Sequence, residues 1–202
     1  MSDYESLQKL AYGLVVIMLI FNFLGSTVVY EQELEDDDGK VDITYYLDEL
    51  EIEEDGYGKE SYSYNTAGFS EIEDVMTNLG YLSLLTLLAS AFFAWKIKEV
   101  IEGSDDLEIV QKAGYAVSIL AILSALYPVY AIPNALEDDW EQGFFDEGDG
   151  VDYDGGFIGE EKLDHPYFGE MEFDSGPGTG WYLLVLGGIL GFVIYTRVND
   201  LD

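Results

Sequence analysis

The residues best suited to chemistry lie in one acidic, glycine-rich run. With Gly155 set at the sixth position of an EF-hand-type loop, Asp152 and Asp154 fall at the third and fifth positions. Phe157 then falls at the apolar eighth position and Glu161 at the twelfth. Calcium takes several hard oxygen ligands, and a glycine between them allows the sharp turn that gathers them. The first position holds Gly150 rather than an acid, with Asp149 beside it, and no flanking helices are evident. The residue types therefore admit one cofactor, calcium, with Asp152, Asp154 and Glu161 as its ligands. The competing reading is a merely solvated acidic loop. Asp36, Asp37 and Asp38 read as a hairpin turn first and a cation site second.

Other chemistry is poorly provided for. The chain has no cysteine and one histidine, His165, which precedes Pro166 and reads as a surface residue. Cys/His pairs and multi-histidine metal sites are excluded on that ground. No glycine-rich phosphate loop follows a strand, and no pair of carboxylates is singled out for acid–base work. A formal net charge of −33 opposes nucleic-acid binding. The chain is expected not to be an enzyme.

The elements that must position these residues follow from a split composition. Of 202 residues, 49% are apolar, yet acids outnumber bases 41 to 8. The two sets occupy different segments. Four apolar stretches, 10–30, 75–95, 113–132 and 178–198, are each about 20 residues long, enough to cross roughly 30 Å of hydrocarbon. The first is long for a signal peptide, and its basic flank is Lys9 alone, so it reads as a span. The long connections hold the acids. Residues 31–74 carry 17 acids and two bases, and residues 134–180 carry 15 acids and one base, a net of 29 negative charges.

Lys9, Lys96, Lys98, Lys112 and Arg197 all fall beside the apolar stretches and all on one side. By the positive-inside rule that side is cytoplasmic. The reading is an integral plasma-membrane protein with cytoplasmic segments 1–9, 96–112 and 199–202. The connections 31–74 and 133–177 are then extracellular. Tyr12, Tyr30, Trp95, Tyr115, Tyr130, Trp181 and Tyr195 flank the spans as interface anchors. No span carries a charge at depth, which leaves no residue for a proton relay or voltage sensor. So acidic a surface suits a saline medium, where cations screen the repulsion.

The first connection carries strand signals. Val28, Tyr30, Gln32 and Leu34 alternate, as do Val41, Ile43, Tyr45 and Leu47, with Asp38-Gly39 between them as a hairpin turn. Asp55-Gly56-Tyr57-Gly58 marks another reversal, and Ser61–Tyr64 a third strand, so a small antiparallel meander is predicted. Ser70 and Glu73 form a capping box that leads into the second span. The second connection reads as a Gly/Asp-rich loop whose Phe157, Phe168 and Phe173 pack on the meander. Pro128 is expected to kink the third span and Pro133 to end that helix.

Small residues mark the helix contacts: Ser83 and Ser90 in the second span, Gly114 and Ser118 in the third, and the Gly187/Gly191 G-x-x-x-G face in the fourth. Asn22 is the most polar side chain at depth in the first span and reads as an interhelical hydrogen bond.

The fold expected is therefore an all-α integral membrane protein, a four-transmembrane-helix bundle with a small antiparallel β-rich acidic extracellular domain. Its topology resembles that of the claudin-like tetraspan class, and is shared with tetraspanins and connexin-type channels. The claudin cysteines are absent here, and residues 31–74 contain no tryptophan. The resemblance implies an adhesion, scaffold or accessory role. The function expected is non-enzymatic: an acidic outer domain for protein–protein or self-association, bridged by cations. Two alternatives stand beside it, a pore-forming homo-oligomer with a cation-concentrating mouth, and an accessory subunit of a membrane enzyme. The partners expected are membrane lipid, other membrane subunits or further copies, and cations, with no nucleic acid.

Overall fold

The computed structural model describes residues 3–23, 27–35, 39–54, 56–103, 107–142, 153, 155–165 and 169–201. The elements run α1 (Asp3–Phe23), β1 (Tyr30–Glu35), β2 (Lys40–Tyr45), β3 (Leu50–Glu54), β4 (Gly58–Tyr62), α2 (Tyr64–Ala67), α3 (Ser70–Ile101), α4 (Leu107–Gln142), β5 (Gly159–His165), β6 (Gly169–Pro177) and α5 (Thr179–Asn199). The chain divides into two compact units. One comprises Met1–Gly25, Gly80–Leu126 and Tyr182–Asp202, the other Ser26–Leu79 and Tyr127–Trp181.

The first unit is a helix bundle. Helices α1, α3, α4 and α5 are long and apolar enough to cross a membrane. Helix α1 buries Leu7, Ala11, Leu14, Met18 and Phe21. That three- and four-residue spacing makes one stripe along a helix face. Its other face exposes Tyr12, Val16, Leu19 and Phe23, apolar side chains that suit lipid rather than water. Helix α1 runs from Asp3 to Phe23, and Tyr30 already belongs to the sheet. Tyr30 is fully buried in the sheet unit and is not an interface anchor.

The second unit corrects the expected fold class. The chain is not all-α with a small β-rich appendage; it is mixed, with a six-stranded antiparallel sheet of order β4-β3-β2-β1-β6-β5. The first connection supplies the four-stranded meander β1–β4. The second, read as a loop, supplies the hairpin β5–β6, which joins the meander through β1 and β6. The strands GEEKLDH and GEMEFDSGP escape a pattern search because acids and glycines are depleted in strands. Pairing rescues them, since Phe173 falls opposite Leu34 and Ser175 opposite Gln32 on the inward face.

Two helix ends also differ from expectation. Pro133 does not end α4, which continues to Gln142. Burial of Leu136, Asp139 and Trp140 holds the extra turns, and the Asn134 side chain donates to the Tyr130 carbonyl. The start of α3 is capped from outside its own sequence. The Asp139 carboxylate accepts the Glu71 and Ile72 backbone N–H groups, each at 2.9 Å.

Candidate functional site

Strand alternation gives the sheet two unlike faces. On the inward face the register sets Tyr30 opposite Tyr45, Gln32 opposite Ile43 and Leu50 opposite Tyr45. Tyr30, Tyr45, Tyr64, Tyr153, Phe69 and Phe173 are fully buried beneath it. Trp140 packs edge-on to Phe173 with ring centroids 5.0 Å apart, and Tyr30 stacks on Phe157 at 5.3 Å. Geometries of this kind add stability beyond the area they bury.

A hydrogen-bond network runs through this core. The Tyr45 hydroxyl donates to Gln32 Oε1 at 2.6 Å, and Gln32 Nε2 donates to the Tyr153 hydroxyl at 3.1 Å. The Tyr30 hydroxyl donates to the Gly156 carbonyl at 3.2 Å. The Tyr64 hydroxyl donates to the Tyr46 carbonyl. Every phenol here meets a partner, which is the condition for burying it without a desolvation penalty. Burial pushes the Tyr30, Tyr45 and Tyr64 hydroxyls well above the ordinary phenol range and raises that of Tyr153.

The other face of the sheet is acidic. The register sets Glu53 opposite Asp42, Asp42 opposite Glu33, Glu33 opposite Asp174, and Asp174 opposite Glu160. Five carboxylates therefore form one row across β3, β2, β1, β6 and β5. Like charges directly opposite in a sheet are destabilising. Lys40 offsets part of this: its ammonium sits 2.8 Å from Glu33 and 3.2 Å from Asp42, which hold it above the usual lysine range. Lys59 opposes Glu53 in the register, yet its ammonium pairs with Glu51 at 2.5 Å. A groove of about 360 Å³ runs along this face, lined in part by Glu33, Asp42, Glu53 and Asp174.

The expected calcium ligands are only partly placed. Asp152 and Asp154 lie outside the described residues, as do Asp36, Asp37 and Asp38. Glu161 sits within β5 opposite Phe173, on the inward side of the sheet. Gly155 makes room for an aromatic ring: a Cβ there would stand 2.1 Å from Tyr153 Cζ. It is not among the described glycines with positive φ. Among the described residues no group of three or more His, Asp or Glu side chains is arranged to hold a metal ion. The backbone of His165 closes β5 opposite Gly169.

The small residues singled out in the spans lie in helix contacts of the bundle. A Cβ on Gly187 would stand 2.5 Å from Met18 Cε, and one on Gly191 2.8 Å from the Ala121 Cβ. The two glycines thus face different neighbours, α1 and α4. Gly114 approaches Val198 of α5 and Phe93 of α3. Ser83 donates to Asn22 Oδ1 at 2.9 Å, while Ser90 and Ser118 donate to the carbonyls of Thr86 and Gly114. All three serines are buried. Near the ends of α3 and α4, Lys96, Lys98 and Lys112 pair with Glu99, Glu102 and Glu108.

The features that sequence reasoning missed are the acidic row and the Asp139 cap. Both join residues from the two acidic connections, and neither has a local signal. No family model matches the chain, and no curated protein matches it in sequence.

Proposed function

We propose that this chain is a non-enzymatic polytopic membrane protein that presents an acidic sheet for association with a protein partner or a second copy, with cations bridging the carboxylates. The observation that carries this reading is the row Glu53–Asp42–Glu33–Asp174–Glu160. A row of opposed carboxylates works against the sheet that carries it. Opposite charge brought from outside turns that cost into a binding contribution. The groove beside the row offers such charge a place to sit. The basic residues Lys9, Lys96, Lys98, Lys112 and Arg197 support an orientation with the acidic connections outside the cell.

The pore reading draws less support. It needs the Ser/Thr stripe of α3 on a water-filled axis, whereas Ser83, Thr86 and Ser90 are buried inside the bundle. Thr86 meets Ser124 of α4 at 3.0 Å.

Native mass spectrometry after gentle detergent extraction, with and without a divalent-cation chelator, tests the proposal. A discrete assembly that dissociates on chelation, and fails to form when Glu33, Asp42, Glu53 and Asp174 are neutralised together, supports it. A monomer under every condition overturns it. One copy bound to unrelated chains, indifferent to both chelator and neutralisation, replaces it with the accessory-subunit reading. Orientation is checked by labelling single cysteines S61C and E102C in intact cells, with S61C alone expected to react.

A further inference from the structure

Among the described residues Asp139 is the buried acid, 3% exposed. It stands in the last turns of α4, beyond the charge-free stretch 113–132, and its two oxygens accept the Glu71 and Ile72 N–H groups in the first turn of α3. Its chain neighbour Trp140 fills the space between Phe69, just before α3, and Phe173 of β6. One dipeptide thus fastens the end of α4 to the start of α3 and to the sheet. No cation pairs with Asp139 among the described residues. The charged and titratable groups that face it are Glu71 from α3, Asp138 from its own helix and the Tyr45 phenol from β2.

We propose that the Asp139 carboxyl is a proton-sensitive clasp between the first turn of α3 and the last turns of α4. Two influences on the carboxyl oppose each other. The paired N–H groups and the positive end of α3 favour the carboxylate. Burial, together with the negative charges of Glu71 and Asp138, favours the neutral acid. Burial is the largest influence and lifts the group from its ordinary value near 3.8 to about 6. Opening the clasp returns the carboxyl to water and to that ordinary value.

The sign follows from linkage. Between pH 4 and 6 the closed clasp keeps a proton that the open one has lost, so acid favours closure. The closed-to-open ratio therefore falls as the pH rises from about 4 to 6, by up to about 100-fold, and levels off above 6, where both forms are ionised.

Hydrogen exchange of the Glu71 and Ile72 amides, on the full chain in lipid nanodiscs, reads this directly. After correction for intrinsic exchange, protection is expected to fall by about 10- to 100-fold between pH 4.5 and 7.5, with a midpoint at about 5 and a plateau above 6. Asp139→Asn, which keeps the shape and cannot ionise, is expected to give a flat profile. Asp138→Asn, which leaves the clasp intact, is expected to lower the midpoint, a readout that stands even if Asp139→Asn does not fold. A flat wild-type profile, protection that rises with pH, an unmoved midpoint in Asp138→Asn, or wild-type behaviour in Asp139→Asn would each overturn the proposal.

Discussion

Gly191 of α5 lies so close to Ala121 of α4 that a Cβ on the glycine would stand 2.8 Å from the alanine Cβ and 3.2 Å from the Ser118 carbonyl oxygen. Helices in lipid gain little from burying apolar surface against each other, so close backbone approach is what holds them. Gly191→Leu is expected to force α5 away from α4 and to destabilise the bundle by about 1–3 kcal/mol, the usual cost of overpacking. Gly80→Ala is the control, because a Cβ there meets nothing within 4 Å. Denaturant midpoints of the two variants in mixed micelles should separate clearly, and equal midpoints would remove the packing role assigned to Gly191.

The inward face of the sheet depends on Gln32. It accepts from the Tyr45 hydroxyl and donates to that of Tyr153. Gln32→Leu leaves both phenols without this partner in a buried setting. The expected loss is about 1–3 kcal/mol for the stranded Tyr45 phenol, with a smaller addition from Tyr153, which keeps Ser175 Oγ at 3.4 Å. Tyr45→Phe should cost less, since it strands the Gln32 carbonyl oxygen alone. Thermal unfolding followed by near-ultraviolet circular dichroism gives the order, and a Gln32→Leu variant as stable as wild type would show that the network contributes nothing.

Alkali should unfold the sheet unit abruptly. Burial raises the Tyr30, Tyr45, Tyr64 and Tyr153 hydroxyls above their unfolded value, so the folded state holds protons that the unfolded state releases. Their contribution is complete below about pH 10, the unfolded phenol value, and is lost as the pH climbs above it. A spectrophotometric titration should show a normal fraction ionising reversibly, then a cooperative step that coincides with loss of sheet signal. A single smooth curve covering all the tyrosines would contradict this.

The absence of native cysteine makes the α3 seam easy to probe. Single variants Thr86→Cys and Ser90→Cys should resist a charged, membrane-impermeant thiol reagent, because both positions are fully buried. Rapid labelling of either from the aqueous phase would revive the pore reading.

Added salt should stabilise the sheet unit. The Debye length shrinks from about 30 Å at 0.01 M to about 3 Å at 1 M, which weakens repulsion along the acidic row. Neutralising Glu33, Asp42, Glu53 and Asp174 together should flatten that dependence. A denaturant midpoint that ignores salt in the wild type would show that the row is already compensated.

Composition and period alone fix the division of labour. Apolar runs long enough to cross a membrane, acids confined to the two long connections, and small residues at three- and four-residue spacing are local properties, readable from composition and period. The alternation of Tyr30, Gln32 and Leu34 and of Val41, Ile43 and Tyr45 likewise announced β1 and β2, because a strand facing a core must repeat every second residue. The remaining features depend on partners far apart in the chain, which no local pattern connects. Strands β5 and β6 are too acidic and glycine-rich to declare themselves, and the pairing of Glu33 with Asp174 and of Leu34 with Phe173 makes them part of one sheet. Asp139 could not be read as the cap of a helix that starts at Ser70, since no local pattern links residues so distant. Whether Gly187 and Gly191 served one contact or two was equally closed to the sequence. A glycine permits close approach, but the fold chooses which helix approaches: α1 at Gly187 and α4 at Gly191.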